Sequence, residues 1–234
     1  MKRQCTILAA TALLLGSQQP TSGQQALLPP KPFGLVSVHF EQNATDGDAE
    51  VVFEAKGDQN GLVKLSVVSP DGRTVIDFRA PEASAGIRQF RMESPEPGDI
   101  ESLKAAYPQG VYRFSGTTST GVKLQGDSKL SHGLPATVSF VRPSAGAQGV
   151  SAEKLVITWT QVRGLVAYIV SIEQEELNSS VVARLPGTAT RFTVPDGFML
   201  PGTEYKLAVG TVTENGNASF VETTVKTAAT KKIP

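Results

Sequence analysis

Cysteine is almost absent from this chain of 234 residues, and neither sign of charge dominates it. Cys5 is the only cysteine, so the chain can hold no intramolecular disulfide and no site built from several thiolates. Lysine and arginine number 22, and aspartate and glutamate also number 22. Since no basic excess is present, nothing in the charge favours a nucleic acid or an anionic membrane as a partner.

Histidine and the common catalytic motifs are scarce as well. The 2 histidines, His39 and His132, are too few for a convincing zinc site, and His39 is interpreted as an ordinary strand residue. The sequence contains no G-x-S-x-G, no H-E-x-x-H and no phosphate-binding loop ending in Gly-Lys-Ser/Thr. We therefore predict no catalytic residue, no cofactor and no metal, and expect that the protein is not an enzyme. A small hydrolase hidden in the N-terminal half is a minor alternative.

Long hydrophobic runs are missing too, apart from residues 6–15. This run follows Lys2 and Arg3 and precedes a polar stretch that ends at Gly23. Its length is about half of the ~20 apolar residues that a spanning helix needs, so a membrane anchor is the weaker interpretation. Residues 1–23 are predicted to be a cleaved secretory signal peptide, with Gln24 as the expected first residue of the mature chain.

The position of Cys5 argues against a lipid anchor. A lipoprotein cysteine follows the apolar run, whereas Cys5 precedes it. Removal of residues 1–23 leaves a mature chain with no cysteine and no integral membrane segment, so its stability must come from packed cores. The expected location is the periplasm or the outside of the cell.

Short alternating runs separated by Gly, Pro, Asn and Asp follow the signal segment. Residues 24–34 are predicted to be an extended leader, and residues 35–141 a β-sandwich domain. Within the domain, Asn60-Gly61 favours a tight hairpin turn. Asp46, Asp48 and Glu50 could together offer oxygen ligands to Ca²⁺, but the later ligands of a calcium loop are missing. A solvated turn is the preferred interpretation of these acids.

Residues 94–109 interrupt the pattern of short strands. Asp99 is predicted to cap a short helix over residues 100–106. Ile100, Leu103 and Tyr107 recur at nearly helical spacing, and we predict that they form a partner-binding surface, because irregular loops on a rigid sandwich often carry recognition. The alternative is that these side chains close one end of the sandwich.

The strands that follow have a pattern seen in known families. Gly110-Val111-Tyr112-Arg113-Phe114, paired with residues 122–124, loosely resembles the last hairpin of an immunoglobulin-like domain. A short linker rich in Pro, Gly, Ser and Ala is predicted over residues 142–149. We predict that residues 229–234 form a disordered tail.

Residues 150–228 resemble a fibronectin type III domain. The residues that carry this resemblance occur in the family's order: Trp159, Tyr168, Leu200, Pro201, Gly202 and Tyr205. The resemblance implies that Trp159 lies in the core and that Tyr205 forms a tyrosine corner, with its hydroxyl bonded to upstream backbone. These residues are interpreted as structural core. The predicted fold is all-β, with an immunoglobulin-like sandwich followed by a fibronectin type III-like one.

The expected function is that of a non-catalytic, exported binding or spacer protein. The module names no partner, so the partner is an unidentified protein or glycan. The alternative is a carbohydrate-binding accessory protein of an extracytoplasmic enzyme. Such proteins use exposed aromatic platforms, and with Trp159 expected to be buried, Tyr107 and Tyr112 are the candidates.

Overall fold

The computed structural model describes residues 29–96 and 99–229. The predicted signal peptide therefore lies outside the described residues, as do residues 24–28 of the leader and all but Ala229 of the predicted tail. Within these two ranges, no helix has both the length and the apolar composition needed to cross a bilayer.

The first part of the chain forms strands joined by tight turns. Its elements are β1 (Lys31–Pro32), β2 (Leu35–Asn43), β3 (Asp48–Lys56), β4 (Leu62–Val68), β5 (Thr74–Arg79), a 3-10 turn (Ala83–Ala85), β6 (Gln89–Glu93), α1 (Ile100–Ala106), β7 (Gly110–Thr118) and β8 (Lys123–Leu130). Gly61 has φ +72°, and a Cβ at this position would lie 2.8 Å from the carbonyl carbon of Gly86. Only glycine fits this turn, as the Asn60-Gly61 pattern predicts.

Two facing sheets make up this first sandwich. The strands β2, β3 and β6 form one layer, and β5, β4, β7 and β8 form the other. Side chains alternate along each strand, so one set from each layer meets between the sheets and forms a continuous apolar core. Val38, Phe53, Leu65 and Phe114 are buried members of this core.

The second part of the chain forms another sandwich. Its strands are β9 (Phe140–Arg142), β10 (Gln148–Val150), β11 (Val156–Trp159), β12 (Ala167–Gln174), β13 (Ser179–Pro186), β14 (Arg191–Thr193), β15 (Glu204–Val212) and β16 (Ala218–Thr227). The layer β14-β11-β9 faces the layer β13-β12-β15-β16 across a separate core. The described residues thus confirm the predicted all-β class.

Both sandwiches have the same strand order. Without β1 and β10, each sandwich has seven strands, numbered here one to seven in chain order. Strands one, two and five form the three-stranded layer, and the other layer has the order four, three, six, seven. Each extra strand pairs parallel with the seventh strand, β1 with β8 and β10 with β16, but β1 precedes the first strand of its sandwich whereas β10 follows it. The chain is therefore a tandem of one topology.

The segment predicted to be a linker, residues 142–149, takes part in this pairing. Its ends belong to β9, which pairs with β11, and to β10, which pairs with β16. Val138 is buried in the second core, whereas Leu130 is buried in the first. We propose that the boundary between the domains lies within residues 131–137, upstream of the predicted linker.

Candidate functional site

The residues predicted to surround Tyr205 form a corner between β14 and β15. The Tyr205 hydroxyl accepts a hydrogen bond from the Leu200 backbone N–H at 2.7 Å and donates to the Phe198 carbonyl at 3.3 Å. Gly202 completes the turn with φ +67°. Leu200 is 45% exposed and Pro201 is also exposed, so these two belong to the turn rather than to the packed core.

Trp159 and Tyr168 lie inside the second sandwich, with their ring centroids 5.5 Å apart. The Tyr168 hydroxyl accepts a hydrogen bond from the Val162 N–H at 2.8 Å. The Trp159 indole N–H is buried and has no hydrogen-bond partner among the described residues. Because both rings are enclosed, they support the fold and offer no surface to a ligand.

The predicted partner-binding segment is a helix with the expected bounds. Asp99 caps α1 by accepting a hydrogen bond from the Glu101 N–H at 3.0 Å. Leu103 is 3% exposed, and Ile100 and Tyr107 pack partly buried against the first core, with Tyr107 beside Phe53. Such a placement fits the alternative interpretation, in which the segment closes one end of the sandwich.

The prediction that Tyr112 is a candidate for an exposed sugar-binding platform is wrong. Its side chain is 0% exposed because it points into the first core from β7, so it cannot form a sugar platform. The Tyr112 hydroxyl donates to the Pro108 carbonyl at 3.1 Å. Tyr112 and Tyr205 occupy the same strand of the shared topology, so the first sandwich has a tyrosine corner of its own, which the sequence analysis missed.

The two sandwiches meet edge to edge. β16 pairs parallel with β2, with Ala218 opposite Glu41 and Phe220 opposite Asn43. This pairing makes one sheet of eight strands that runs through both sandwiches. We call the β2–β16 pairing, the turn of residues 213–217 and the segment 131–137 the junction.

Asn217 is the central residue of the junction. It is fully buried, and its side-chain oxygen accepts a hydrogen bond from the Phe40 N–H at 2.9 Å. Its amide nitrogen donates to the carbonyls of Ser131 at 2.9 Å and Gly133 at 2.8 Å. One side chain thus satisfies backbone groups of the first sandwich and of the connecting segment, groups that would otherwise be costly to bury.

Additional hydrogen bonds extend the junction along the two strands. The Gln42 side chain donates to the Ser219 hydroxyl at 2.9 Å, and the Ala44 N–H donates to the Phe220 carbonyl at 2.8 Å. The Glu222 N–H donates to the Thr45 hydroxyl at 2.7 Å. The sequence carries no local pattern for this pairing, because an edge-to-edge contact adds no turn and no periodicity.

A cleft of about 330 Å³ opens beside the junction, and carboxylates line most of it. Its acidic residues are Glu41, Asp46, Asp48, Glu50, Glu96 and Glu222, next to Lys206 and Phe220. The Lys206 Nζ forms an ion pair with the Glu222 Oε2 at 2.6 Å. Asp46, Asp48 and Glu50, the three acids considered as calcium ligands, all line this cleft. Within the described ranges, however, no group of three or more His, Cys, Asp or Glu residues is placed so that it could hold a metal ion.

Two carboxyls of this cleft have shifted pKa values. Burial raises the pKa of Glu50 to about 7, and repulsion from the nearby acids Glu93, Glu41 and Glu96 adds to this shift. Burial would also raise the pKa of Glu41, but the hydrogen bond from His39 and the charge of Arg91 outweigh it and hold that pKa below its usual value.

The histidines lie in separate environments. His39 is on the face of β2 opposite Val38 and Phe40, with its Nε2 2.8 Å from Glu41. His132 lies in the connecting segment, with its Nε2 2.8 Å from the Tyr107 carbonyl. Each ring therefore has its own structural partner.

No protein-family model matches this sequence. A segment of two fibronectin type III domains from chicken tenascin is 16% identical, with a TM-score of 0.33 over 85% of this chain and 99% of that one. A fibronectin type III domain of human collagen alpha-1(XX) is 20% identical, with a TM-score of 0.34 over 44% of this chain and 94% of that one. The fibronectin(III)-like modules of Clostridium thermocellum CbhA are 10% identical, with a TM-score of 0.34 over 86% and 97%.

The chain's own geometry agrees with the predicted resemblance. Residues 150–228 place Trp159 in the core and Tyr205 at a tyrosine corner, as the resemblance implies. With β9 added, they form a three-stranded layer against a four-stranded one, which is a β-sandwich of the fibronectin type III kind.

Proposed function

We propose that this protein is an exported, non-catalytic scaffold that holds two β-sandwich modules at a fixed angle and presents binding surfaces on them. The observation that carries this proposal is the junction, where β2 and β16 join the modules into one sheet. Domains on a flexible linker move relative to one another unless their interface is extensive. The pairing of β2 with β16 over three residue pairs and the hydrogen bonds of the buried Asn217 support a fixed arrangement.

Export is the second element of the proposal. The predicted signal peptide over residues 1–23 supports it, and the mature chain that would remain has no cysteine. N-terminal sequencing of the exported protein should begin within a few residues of Gln24, with no acyl chain. Recovery of the intact Met1 end from the inner membrane would contradict it.

The rigid junction can be tested by distance measurements between spin labels. Since the mature chain has no native cysteine, the substitutions Ser84→Cys and Glu176→Cys place one label on each module at exposed positions. We expect one narrow distance distribution, and a broader one after Asn217→Ala. The matched control is Glu214→Ala, because Glu214 is exposed in the same turn and its side chain makes no hydrogen bond or ion pair with the described residues. A broad distribution in the parent chain would overturn the scaffold.

The binding part of the proposal requires a separate experiment. The full mature chain, immobilised, should retain protein from an envelope extract and bind no sugar on a glycan array. Saturable binding to a glycan would favour the carbohydrate-binding alternative, for which the half-buried Tyr107 is the remaining candidate platform among the aromatics considered.

A further inference from the structure

Charge is segregated between the two outer faces of the first sandwich. The outward residues of β2, β3 and β6 define the acidic face, which comprises Glu41, Asp48, Glu50, Glu54 and Glu93 together with Lys56 and Arg91. The outward residues of β5, β4, β7 and β8 define the basic face, which comprises Lys64, Arg79, Arg113, Lys123 and Lys129 together with Asp77 and Asp127. Each face has five ionisable groups of one sign and two of the other, and on the acidic face Glu50, with its pKa raised to about 7, is partly ionised at neutral pH.

Like charges face one another directly within both faces. Glu41 lies opposite Glu50 on the acidic face, and Lys64 lies opposite Arg79 on the basic face. Such directly opposed pairs destabilise a sheet. Folding of one molecule therefore does not explain this arrangement, whereas an oppositely charged surface placed over each face would relieve the repulsion.

Internal ion pairs neutralise these faces incompletely. Arg91 is shared by Glu41 at 3.2 Å, Glu54 at 3.8 Å and Glu93 at 2.8 Å. Within the part of the chain that the structure describes, Glu50 has no ion-pair partner, and the same holds for Lys64 and Lys123.

The acidic face also has a shape that can receive a cationic side chain. The cleft of about 330 Å³ opens on it and is lined by Asp48, Glu50 and Phe220, and by Lys206, which pairs with Glu222. On the basic face, Val111 is exposed beside the strand positions of Arg113 and Lys129. Each face thus combines charge with some apolar surface.

We propose that copies of this protein associate head to tail, with the acidic face of one first sandwich against the basic face of the next. The occupant is a second copy because the complementary surface lies on the chain itself, with the inverse ratio of charges. Without Lys2 and Arg3 of the predicted signal peptide, the mature chain has 20 basic and 22 acidic residues, a formal net charge of −2, so only weak long-range repulsion acts between copies. Since the faces lie on opposite sides of one sandwich, the contact is heterologous and does not close on a dimer.

The test uses the full mature chain in sedimentation velocity, at low ionic strength and in about 0.5 M NaCl. The basic-face variant is Lys64→Glu with Lys123→Glu, and the acidic-face variant is Asp48→Lys with Glu50→Lys. The control, Arg163→Glu with Arg191→Glu, makes the same charge change as the basic-face variant at exposed positions of the second sandwich. Circular dichroism checks that each variant is folded.

We expect the parent chain and the control to associate at low salt and to dissociate at high salt. Each face variant alone should lose at least about tenfold in association constant, because one half of every contact is reversed. An equimolar mixture of the two face variants should associate again, because the native acidic face of one variant meets the native basic face of the other and the two reversed faces also carry opposite charges. A monomeric parent chain at low salt, or a mixture that stays monomeric, would overturn the proposal.

Discussion

Trp159 shows how a single residue can support the fold with a polar atom left unpaired. The ring fills the second core, but its buried N–H has no acceptor among the described residues. Trp159→Ala should lower the free energy of unfolding by about 3–5 kcal/mol, since it leaves a cavity. Trp159→Phe should cost less than about 2 kcal/mol, because it also removes the unpaired donor. Urea unfolding of the mature chain measures both, and a small loss for Trp159→Ala would contradict burial.

The two tyrosine corners allow a matched comparison. The Tyr205 hydroxyl bonds both the Leu200 N–H and the Phe198 carbonyl, whereas the Tyr112 hydroxyl bonds the Pro108 carbonyl alone. Tyr205→Phe should therefore lower the free energy of unfolding by about 1–2 kcal/mol, and Tyr112→Phe by less, since fewer groups lose a partner. Denaturant unfolding of both variants decides this, and an equal or reversed order would count against the two-bond corner.

Glu50 makes stability depend on pH. Its pKa is raised to about 7 in the folded protein, mainly by burial, from an ordinary value of 4.5. At a pH below the ordinary pKa, Glu50 is protonated in both the folded and the unfolded chain, so its burial lowers the stability by nothing. As the pH rises towards 7, the unfolded chain ionises more readily than the folded one, so stability falls and stays lower above that pH.

Glu50→Gln should remove this pH dependence. The variant should match the parent near pH 4.5 and exceed it by about 1–2 kcal/mol at pH 8, allowing for solvent screening of a half-buried group. The difference between the two unfolding curves across this range isolates Glu50 from other carboxyls such as Glu41. A difference that stays constant with pH would refute the assignment.

The helix α1 can either close the first sandwich or form a free binding surface, and these two roles predict different effects of mutation on stability. Leu103 is buried in the first core, whereas Glu101 on the same helix is exposed. Leu103→Ala should cost about 2–4 kcal/mol if the helix closes the sandwich. Glu101→Ala, the control, should change stability by less than about 0.5 kcal/mol. Thermal and urea unfolding measure both, and an unchanged Leu103→Ala variant would restore the segment as a free binding surface.

Elements with local patterns were predictable from the sequence. The Asn60-Gly61 turn and the capped helix α1 each depend on residues close together in the chain, and both agree with the structure. The pairing of β2 with β16 joins residues about 180 positions apart, as between Phe40 and Asn217, and leaves no such pattern. For the same reason the repeat of one topology in both halves was missed, although Tyr112 was noted as part of a strand.

At the scale of the whole molecule, the connecting segment determines which residues each sandwich needs. β9 pairs with β11, and Val138 lies in the second core, so residues upstream of the predicted linker belong to the second sandwich. The Ser139 N–H donates to the Thr160 hydroxyl at 2.9 Å, and the Thr160 N–H donates to the Ser139 carbonyl at 3.0 Å. A cut at residue 147 would remove all of these contacts.

Two fragments of different length therefore test the boundary. Residues 138–234 retain β9, whereas residues 147–234 expose the edge of β11 and leave a gap beside Trp159, which pairs with Phe140. We expect the longer fragment to unfold with a free energy higher by about 3 kcal/mol or more, from the lost Val138 and Phe140 burial and the unpaired backbone groups. Urea unfolding of the two fragments under one set of conditions makes the comparison. Equal stability would place the boundary at residues 142–149, where the composition of the sequence first suggested it.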